Sequence, residues 1–313
     1  MRHAIRAGVF GCCAFLCVIA HAQAPRVSVL VDLDPQRVDR STQIESIAAD
    51  SAGRLYVADN VSGNVLRVDP KSPVPVVVGR ILRRETQGMG ASNGLAFNKD
   101  GDLFIAKGAF TEVLRIRKDD LDPNRPGAAE TFATAVANAN GLIVLPSGHL
   151  LVSGSASGNI YRIPPQGGTA QVVFHRDQFF PNGLTLDANG RLYVSDTQRG
   201  EIWRFAVNAT GTIDTATLFV KNALLERVDG IAFDGAGTLW CAVQSNSIVT
   251  VTPDGTVRLV AHNDSRGPLE VPTAIVFVGS RAYTNNHDTV APPNGDGKMS
   301  DGGVGASILV IDP

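Results

Sequence analysis

Five oxygen-bearing side chains recur at one equivalent position of a repeated sequence pattern. In each copy a Gly stands eight residues after the side chain and two residues before a Leu. The five side chains are Glu45, Asn93, Asn140, Asn182 and Asp229. Three amides and two carboxylates form an all-oxygen set, which hard divalent cations prefer, calcium first, with magnesium or manganese as alternatives. The set contains neither thiolate nor imidazole, which disfavours zinc.

A structural interpretation competes with this metal-site hypothesis. Asn-Gly and Asp-Gly pairs are common turn formers, and Asn side chains often bond to their own backbone. A single pair of this kind would be structural more often than functional. Five positions in register are harder to explain in this way, and Glu45 has no special role in turns. The pattern therefore favours a metal site over turn chemistry.

The spacing of the repeats predicts the architecture that would position these side chains. The Gly residues that mark the copies are 48, 47, 42 and 47 residues apart, and a looser sixth copy contains Thr273 and Gly279. A strand-rich period of about 40–50 residues is typical of propeller blades. We therefore predict an all-β, six-bladed β-propeller with four-stranded blades. The orphan strand at residues 27–34 is expected to pair into the last blade and close the ring, because an open ring would leave unpaired strand edges.

Closure of the ring brings the five side chains together. Each opens the innermost strand of a blade, so all five converge on the central channel, at the face that carries the loops between second and third strands. Lys107 on this face could hold an anionic substrate group or be a solvated rim charge, and His287 could be a general acid or base or a surface histidine. Asp59 and Asp196 are interpreted as structural caps. The long loop from Asp288 to Gly305 is interpreted as a lid or specificity element, with an insertion as the alternative.

Composition and the N-terminal segment indicate an exported globular protein. The chain has 313 residues, a formal net charge of −2 and 44% apolar residues, so no charge excess points to nucleic acid. Residues 1–24 combine a basic start, an apolar stretch and small-x-small cleavage sites, which predicts a signal peptide. A membrane anchor is the alternative, but the apolar run is too short to span. Residues 25–313 would then form a single propeller domain, periplasmic or extracellular, in which Cys241 is the one cysteine and a buried apolar residue.

These motifs resemble the senescence marker protein/gluconolactonase/luciferin-regenerating enzyme family, and more distantly the paraoxonases. The resemblance is carried by the early Glu45, by Pro181-Asn182-Gly183-Leu184 and by Asp229-Gly230-Ile231-Ala232. It implies a six-bladed propeller with a calcium-like ion on its axis. It further implies that Glu45, Asn182 and Asp229 bind the metal, and that Asn140 binds metal or substrate.

The leading functional hypothesis is a calcium-dependent hydrolase of lactones or related esters, with a small-molecule substrate and no nucleic-acid or membrane partner. Glu45, Asn140, Asn182 and Asp229 would hold the metal, and Asn93 and Lys107 would contact the substrate. Asp229 is also a candidate general base, and His287 is a second candidate. Two alternatives stay open: a non-catalytic binding propeller, since the Leu-Tyr-Val-Ala-Asp text resembles NHL repeats, and a metal-dependent lyase resembling the streptogramin lyases.

Overall fold

The computed structural model describes residues 25–35, 42–82, 92–108, 111–263, 267–287 and 305–312. The predicted signal peptide and all but the last residue of the predicted lid lie outside these residues. No helix in the described part of the chain is long and apolar enough to cross a membrane.

Six antiparallel sheets form the six blades of a propeller, as predicted. Strands are numbered in chain order, and each blade is given from its innermost to its outermost strand. The first three blades are β2 (Ile44–Ala49), β3 (Leu55–Asp59), β4 (Asn64–Asp69) and β5 (Ser72–Arg80); β6 (Ser92–Phe97), β7 (Leu103–Lys107), β8 (Glu112–Ile116) and β10 (Glu130–Thr134); and β11 (Ala139–Val144), β12 (Leu150–Gly154), β13 (Asn159–Ile163) and β15 (Gln171–His175).

The other three blades follow the same order. They are β16 (Pro181–Leu186), β17 (Leu192–Asp196), β18 (Glu201–Val207) and β19 (Ile213–Lys221); β20 (Val228–Phe233), β21 (Leu239–Val243), β22 (Ser247–Val251) and β23 (Val257–His262); and β24 (Pro272–Val278), β25 (Arg281–Asn286), β26 (Ser307–Asp312) and β1 (Arg26–Asp32). Two short strands, β9 (Gly127–Ala128) and β14 (Gly168–Thr169), each add in parallel to an outermost strand. Within the described ranges, 3-10 turns occupy Lys118–Asp120, Ser155–Ser157 and Ala223–Leu225.

The ring is closed by the N-terminal strand. Strand β1 pairs antiparallel with β26 and is the outermost strand of the sixth blade. The last blade thus contains strands from both ends of the chain, and the predicted closure is confirmed.

The turn between first and second strands is built by an Asx side chain and a glycine. In the fourth blade, Asp187 accepts hydrogen bonds from the backbone N–H groups of Asn189 and Arg191, at 2.9 Å each. Gly190 in the same turn has a φ of 76°, a conformation that favours glycine. Asp50, Asn98 and Asp234 do the same in three other blades. This repeated turn explains why the glycine markers could be found in the sequence.

The hydrophobic core lies between adjacent blades. The second strands β3, β7, β12 and β17 are buried along their whole length, because blades cover both of their faces. Edge-to-face aromatic pairs join neighbouring blades, as between Tyr56 and Phe97, whose ring centroids are 4.8 Å apart. Cys241 is buried in one of these layers. The prediction that it is a core residue is therefore confirmed.

Candidate active site on the propeller axis

A β-bulge in every blade places the candidate ligands. In the first blade the pairs Ile44–Asp59 and Ile47–Val57 are in register, so two residues of β2 face one residue of β3. The same single extra residue occurs near the start of each inner strand. Bulges disrupt the ladder and re-aim side chains. The residues at this position are Glu45, Asn93, Asn140, Asn182, Asp229 and Thr273.

All six side chains line one central cavity of about 90 Å³. The sequence-predicted convergence of five residues on the axis is therefore found in the fold, and Thr273 takes the sixth place. The hydroxyl of Thr273 donates to the backbone carbonyl of Glu45, at 2.7 Å. Its role in the described structure is to join the sixth blade to the first.

The glycine that follows the ring residue is required by the close approach of blades. Gly94, Gly141, Gly183 and Gly230 lie within strands, and none has a positive φ. A Cβ atom on Gly183 would lie 2.6 Å from the carbonyl oxygen of Asp229 in the next blade. The Asn-Gly and Asp-Gly pairs are consequently not turns, and the turn interpretation of these pairs is wrong.

The amide groups of Asn140 and Asn182 are oriented by hydroxyls that cannot donate to them. Ser155 donates its hydroxyl proton to the carbonyl of Pro181, and therefore accepts from Nδ2 of Asn140, at 2.8 Å. Thr197 in the next blade likewise donates to the carbonyl of Val228 and accepts from Nδ2 of Asn182, at 3.1 Å. Because the protein occupies the amide nitrogens, the carbonyl oxygens are the groups left to act as ligands.

A chain of hydrogen bonds positions Asp229. Gln244 donates its amide to Oδ2 of Asp229 at 2.6 Å, while its carbonyl oxygen accepts from Arg227 at 3.1 Å. Since arginine can only donate, this chain fixes the orientation of the Gln244 amide. Neither Gln244 nor Arg227 belongs to a recognisable sequence motif. Nothing in their spacing marks them, because Gln244 comes from the loop after β21 and meets Asp229 only where β20 and β21 pair within one blade.

Asp229 is a buried carboxylate beside a second acidic group. It is 3% exposed and has no ion pair with any described residue. Burial, and then the negative charge of Glu45, raise the pKa of Asp229 well above its usual value. The Gln244 hydrogen bond, the charge of Arg227 and a hydrogen bond with Asn182 act in the opposite direction. Such a pair favours a bound cation, which would relieve the repulsion. The donor chemistry thus fits a hard divalent ion, although no group of three or more His, Cys, Asp or Glu side chains with metal-site geometry occurs in the described part of the chain.

His287 lies at the site, directly after β25. Its Nδ1 is 2.8 Å from Oε2 of Glu45, and its side chain is 17% exposed. A carboxylate only accepts, so Nδ1 carries the proton and Nε2 bears the lone pair of the neutral ring. An imidazole therefore neighbours the oxygen ligands, on the face where the sequence suggested His287 as a candidate acid or base, and the alternative of a surface histidine is wrong.

Lys107 and Asn93 lie in the second blade. Lys107 is 2% exposed, at the end of β7, and pairs in register with Glu112, so the alternative of a solvated rim charge is wrong. Asn93 donates its amide to the carbonyl of Ala139 at 3.0 Å, which joins the second blade to the third. Asp59 accepts backbone N–H groups from its own turn and from Gln43, as expected of a structural cap.

Unusual backbone conformations precede three of the ring residues. Asn138, Arg227 and Val271 have φ angles of 55°, 67° and 51°, and each lies two residues before a ring residue. Val271 is β-branched, for which a positive φ is particularly unfavourable. Its N–H bonds to the side chain of Asn246 and its carbonyl accepts from the N–H of His287. Strain held by surrounding bonds in this way is characteristic of functional sites.

Comparison with known proteins confirms the expected family resemblance. Residues 151–284 match the family described as SMP-30/Gluconolactonase/LRE-like region. The search of curated proteins found no match.

Similar solved structures share the overall fold at low identity. Regucalcin from Agrobacterium tumefaciens, described as a calcium-binding protein, is 17% identical with a TM-score of 0.67, covering 93% of this chain and 95% of its own. A gluconolactonase from Xanthomonas campestris is 21% identical with a TM-score of 0.63, covering 92% and 89%. A catalytically inactive histidine variant of virginiamycin B lyase from Staphylococcus aureus, with quinupristin, is 15% identical with a TM-score of 0.62, covering 92% and 99%. At these identities the likeness is one of fold.

Proposed function

We propose that this protein is a divalent-cation-dependent hydrolase of lactones or related carboxylic esters. The observation that carries the proposal is the buried carboxylate of Asp229 beside that of Glu45, in a ring that also carries the oriented amides of Asn140 and Asn182. When bound, a divalent cation would polarise the substrate carbonyl and stabilise the developing oxyanion. Family resemblance to lactonases supports this reaction class.

Four side chains would hold the cation: Glu45, Asn140, Asn182 and Asp229. Calcium is the first candidate because all donors are oxygens, with magnesium and manganese as alternatives. The hydroxyls of Ser155 and Thr197 would keep the two amide oxygens in place, as second-sphere partners commonly do.

Two side chains could handle the proton of the attacking water. Asp229 has one oxygen engaged by Gln244, which leaves the other for this role or for the metal. His287 presents Nε2 as the basic atom once Nδ1 donates to Glu45. We assign Asp229 as ligand and first candidate base, and His287 as second candidate.

The axial cavity is smaller than a whole ligand pocket. Its volume of about 90 Å³ lies below the roughly 300–1,000 Å³ of ordinary ligand pockets. The body of the substrate would therefore lie above the channel mouth, where we propose that Asn93 contacts it. The burial of Lys107 and its place outside the cavity lining disfavour the substrate contact expected of it. We further propose that residues 1–24 direct export, so that catalysis occurs in the periplasm or outside the cell.

A lactone panel with purified protein tests the proposal. Hydrolysis, followed by acid release, is expected to stop on chelation and to return with calcium. Asp229→Ala is expected to abolish calcium binding and turnover while circular dichroism shows an intact sheet structure. Asp214→Asn removes an exposed carboxylate on β19 and is the matched control. Full lactonase turnover in Asp229→Ala would refute the mechanism. Absence of turnover in the wild type, together with folding that is indifferent to chelator, would favour a binding propeller.

A lyase is the second candidate, because His287 contacts the ligand ring and a streptogramin-type lyase shares the fold. Product mass separates the two reactions. Hydrolysis adds one water to the substrate, whereas elimination leaves the mass unchanged and creates a carbon–carbon double bond.

A further inference from the structure

The structure assigns a second binding site, for a small phosphate-type oxyanion, to the propeller face opposite the proposed active site. The site is a cleft of about 260 Å³ between the first and second blades. Its lining includes the cations Arg54, Arg67, Lys99 and Lys118 and the aromatic residues Tyr56 and Phe97.

The cleft is separate from the axial site. Strand β2 begins next to Glu45 on the axis and ends before Asp50, which lines the cleft. Five residue steps of extended strand correspond to roughly 17 Å. A ligand in the cleft therefore does not contact the proposed metal ligands.

The charges in the cleft leave a positive excess. Of the two lining carboxylates, Asp50 is already bonded to Arg54, with 2.7 Å between Nε and Oδ2, and accepts from the hydroxyl of Tyr56 at 3.0 Å. Burial raises the pKa of Tyr56 to about 12, so this hydroxyl is a donor at neutral pH. Arg67, Lys99 and Lys118 then face Asp119 alone, in a chain whose net charge is −2.

Arg67 is the central feature of the cleft. It is half-buried on β4, in register with Tyr56 on β3 and Val76 on β5. Its guanidinium forms no ion pair or side-chain hydrogen bond with any described residue. A half-buried arginine without a protein acceptor presents several N–H donors in a planar fork, which suits phosphate oxygens.

Lys118 is brought to the rim by packing of its aliphatic stem. Cβ and Cγ of this stem lie over the Gly101 turn, so that a Cβ atom on Gly101 would be 3.2 Å from Cγ. Lys99 belongs to the same turn. Three cations from two adjacent blades thus surround one cleft, which favours a multiply charged oxyanion over a single carboxylate.

Calorimetric titration of inorganic phosphate into the metal-free protein tests this site at fixed ionic strength with chelator present. We expect saturable binding that Arg67→Gln weakens by about tenfold or more, because a charge-assisted contact is lost. Lys71→Gln removes an exposed cation outside the cleft and should bind phosphate as the wild type does. Melting curves establish that each variant is folded. If Arg67→Gln does not fold, Lys118→Gln is used in its place as the cleft variant.

Two results would overturn the site: no saturable binding to wild type, or wild-type affinity in both cleft variants. A parallel titration with glycerol phosphate distinguishes the source of the anion. Tighter binding than that of inorganic phosphate indicates a phosphate ester packed against Phe97, and weaker binding indicates free phosphate. Persistence of phosphate binding in Asp229→Asn would show that this site is independent of the axial one.

Discussion

Replacing Asp229 by Asn is expected to move the melting temperature in opposite directions without and with a cation. In the metal-free protein, the buried carboxylate faces the charge of Glu45 and has no ion pair among the described residues. Asn keeps the shape and can still accept from Gln244, so the variant relieves repulsion and should melt above the wild type. With a cation present the same change removes a charged ligand. The melting temperature of the variant should therefore rise little on addition of the cation, and should fall below that of the wild type.

The size of the calcium effect follows from mass action. A ligand at about 100 times its Kd stabilises the folded state by about 2.7 kcal/mol. For a domain of this size roughly 2 °C accompanies each kcal/mol, so wild type should melt about 5 °C higher at saturating calcium. The variant should shift by less than about 1 °C under the same conditions.

Differential scanning calorimetry in chelator and then in a calcium series measures both effects. Asp214→Asn, an exposed carboxylate on β19, should reproduce the wild-type shift and exclude a general charge effect. A wild-type melting temperature that ignores calcium, or a variant that keeps the whole shift, would refute the assignment of Asp229 as a ligand.

Three further predictions concern the residues around the ring. Gly183→Ala should destabilise the protein by about 1–3 kcal/mol in denaturant unfolding, because its Cβ would meet the backbone of Asp229, whereas Gly235→Ala, with nothing within 4 Å, should be near neutral. Gln244→Met should lower calcium affinity about tenfold in titration calorimetry with folding retained, since second-sphere partners orient ligands; unchanged affinity would contradict the positioning role. Asp196→Asn should stabilise the protein at pH 7 but not near pH 3. Burial raises the pKa of Asp196 in the fold, so the native state binds the proton more tightly than the unfolded chain does. The free energy of unfolding of the wild type therefore falls as the pH rises above 3.8, the ordinary pKa of the group. Equal denaturant midpoints for Asp196→Asn and wild type at pH 7 would contradict that account.

The fold could be predicted from the sequence because four of the six blades repeat one turn with a recognisable chemistry. Gly190 with its positive φ, and Asp187 with its backbone bonds, recur at fixed spacing and mark the blades. The closing strand could be predicted because the last repeat lacks an outer strand. Register from these turns also placed Glu45, Asn182 and Asp229 at one position.

The remaining features of the site depend on contacts between paired strands and between blades, which a single sequence does not encode locally. The role of Gly183 is to admit the neighbouring Asp229 carbonyl, although the Asn-Gly text is typical of a turn. The approach of Gln244 to Asp229, and of His287 to Glu45, arises from loops that follow second strands and lean toward the axis. The burial of Lys107 likewise reflects packing and not its strand position alone.

The extra residue that every inner strand carries has a consequence for how the site can be altered. Six equivalent bulge positions, here called sockets, surround one axis. The same backbone bulge forms whether the position is occupied by Glu, Asn, Asp or Thr. Charge and ligand number can therefore be exchanged blade by blade, as the contrast between Thr273 and Asp229 already illustrates. Natural or engineered divergence of specificity would need only substitutions at these sockets, with the surrounding scaffold left untouched.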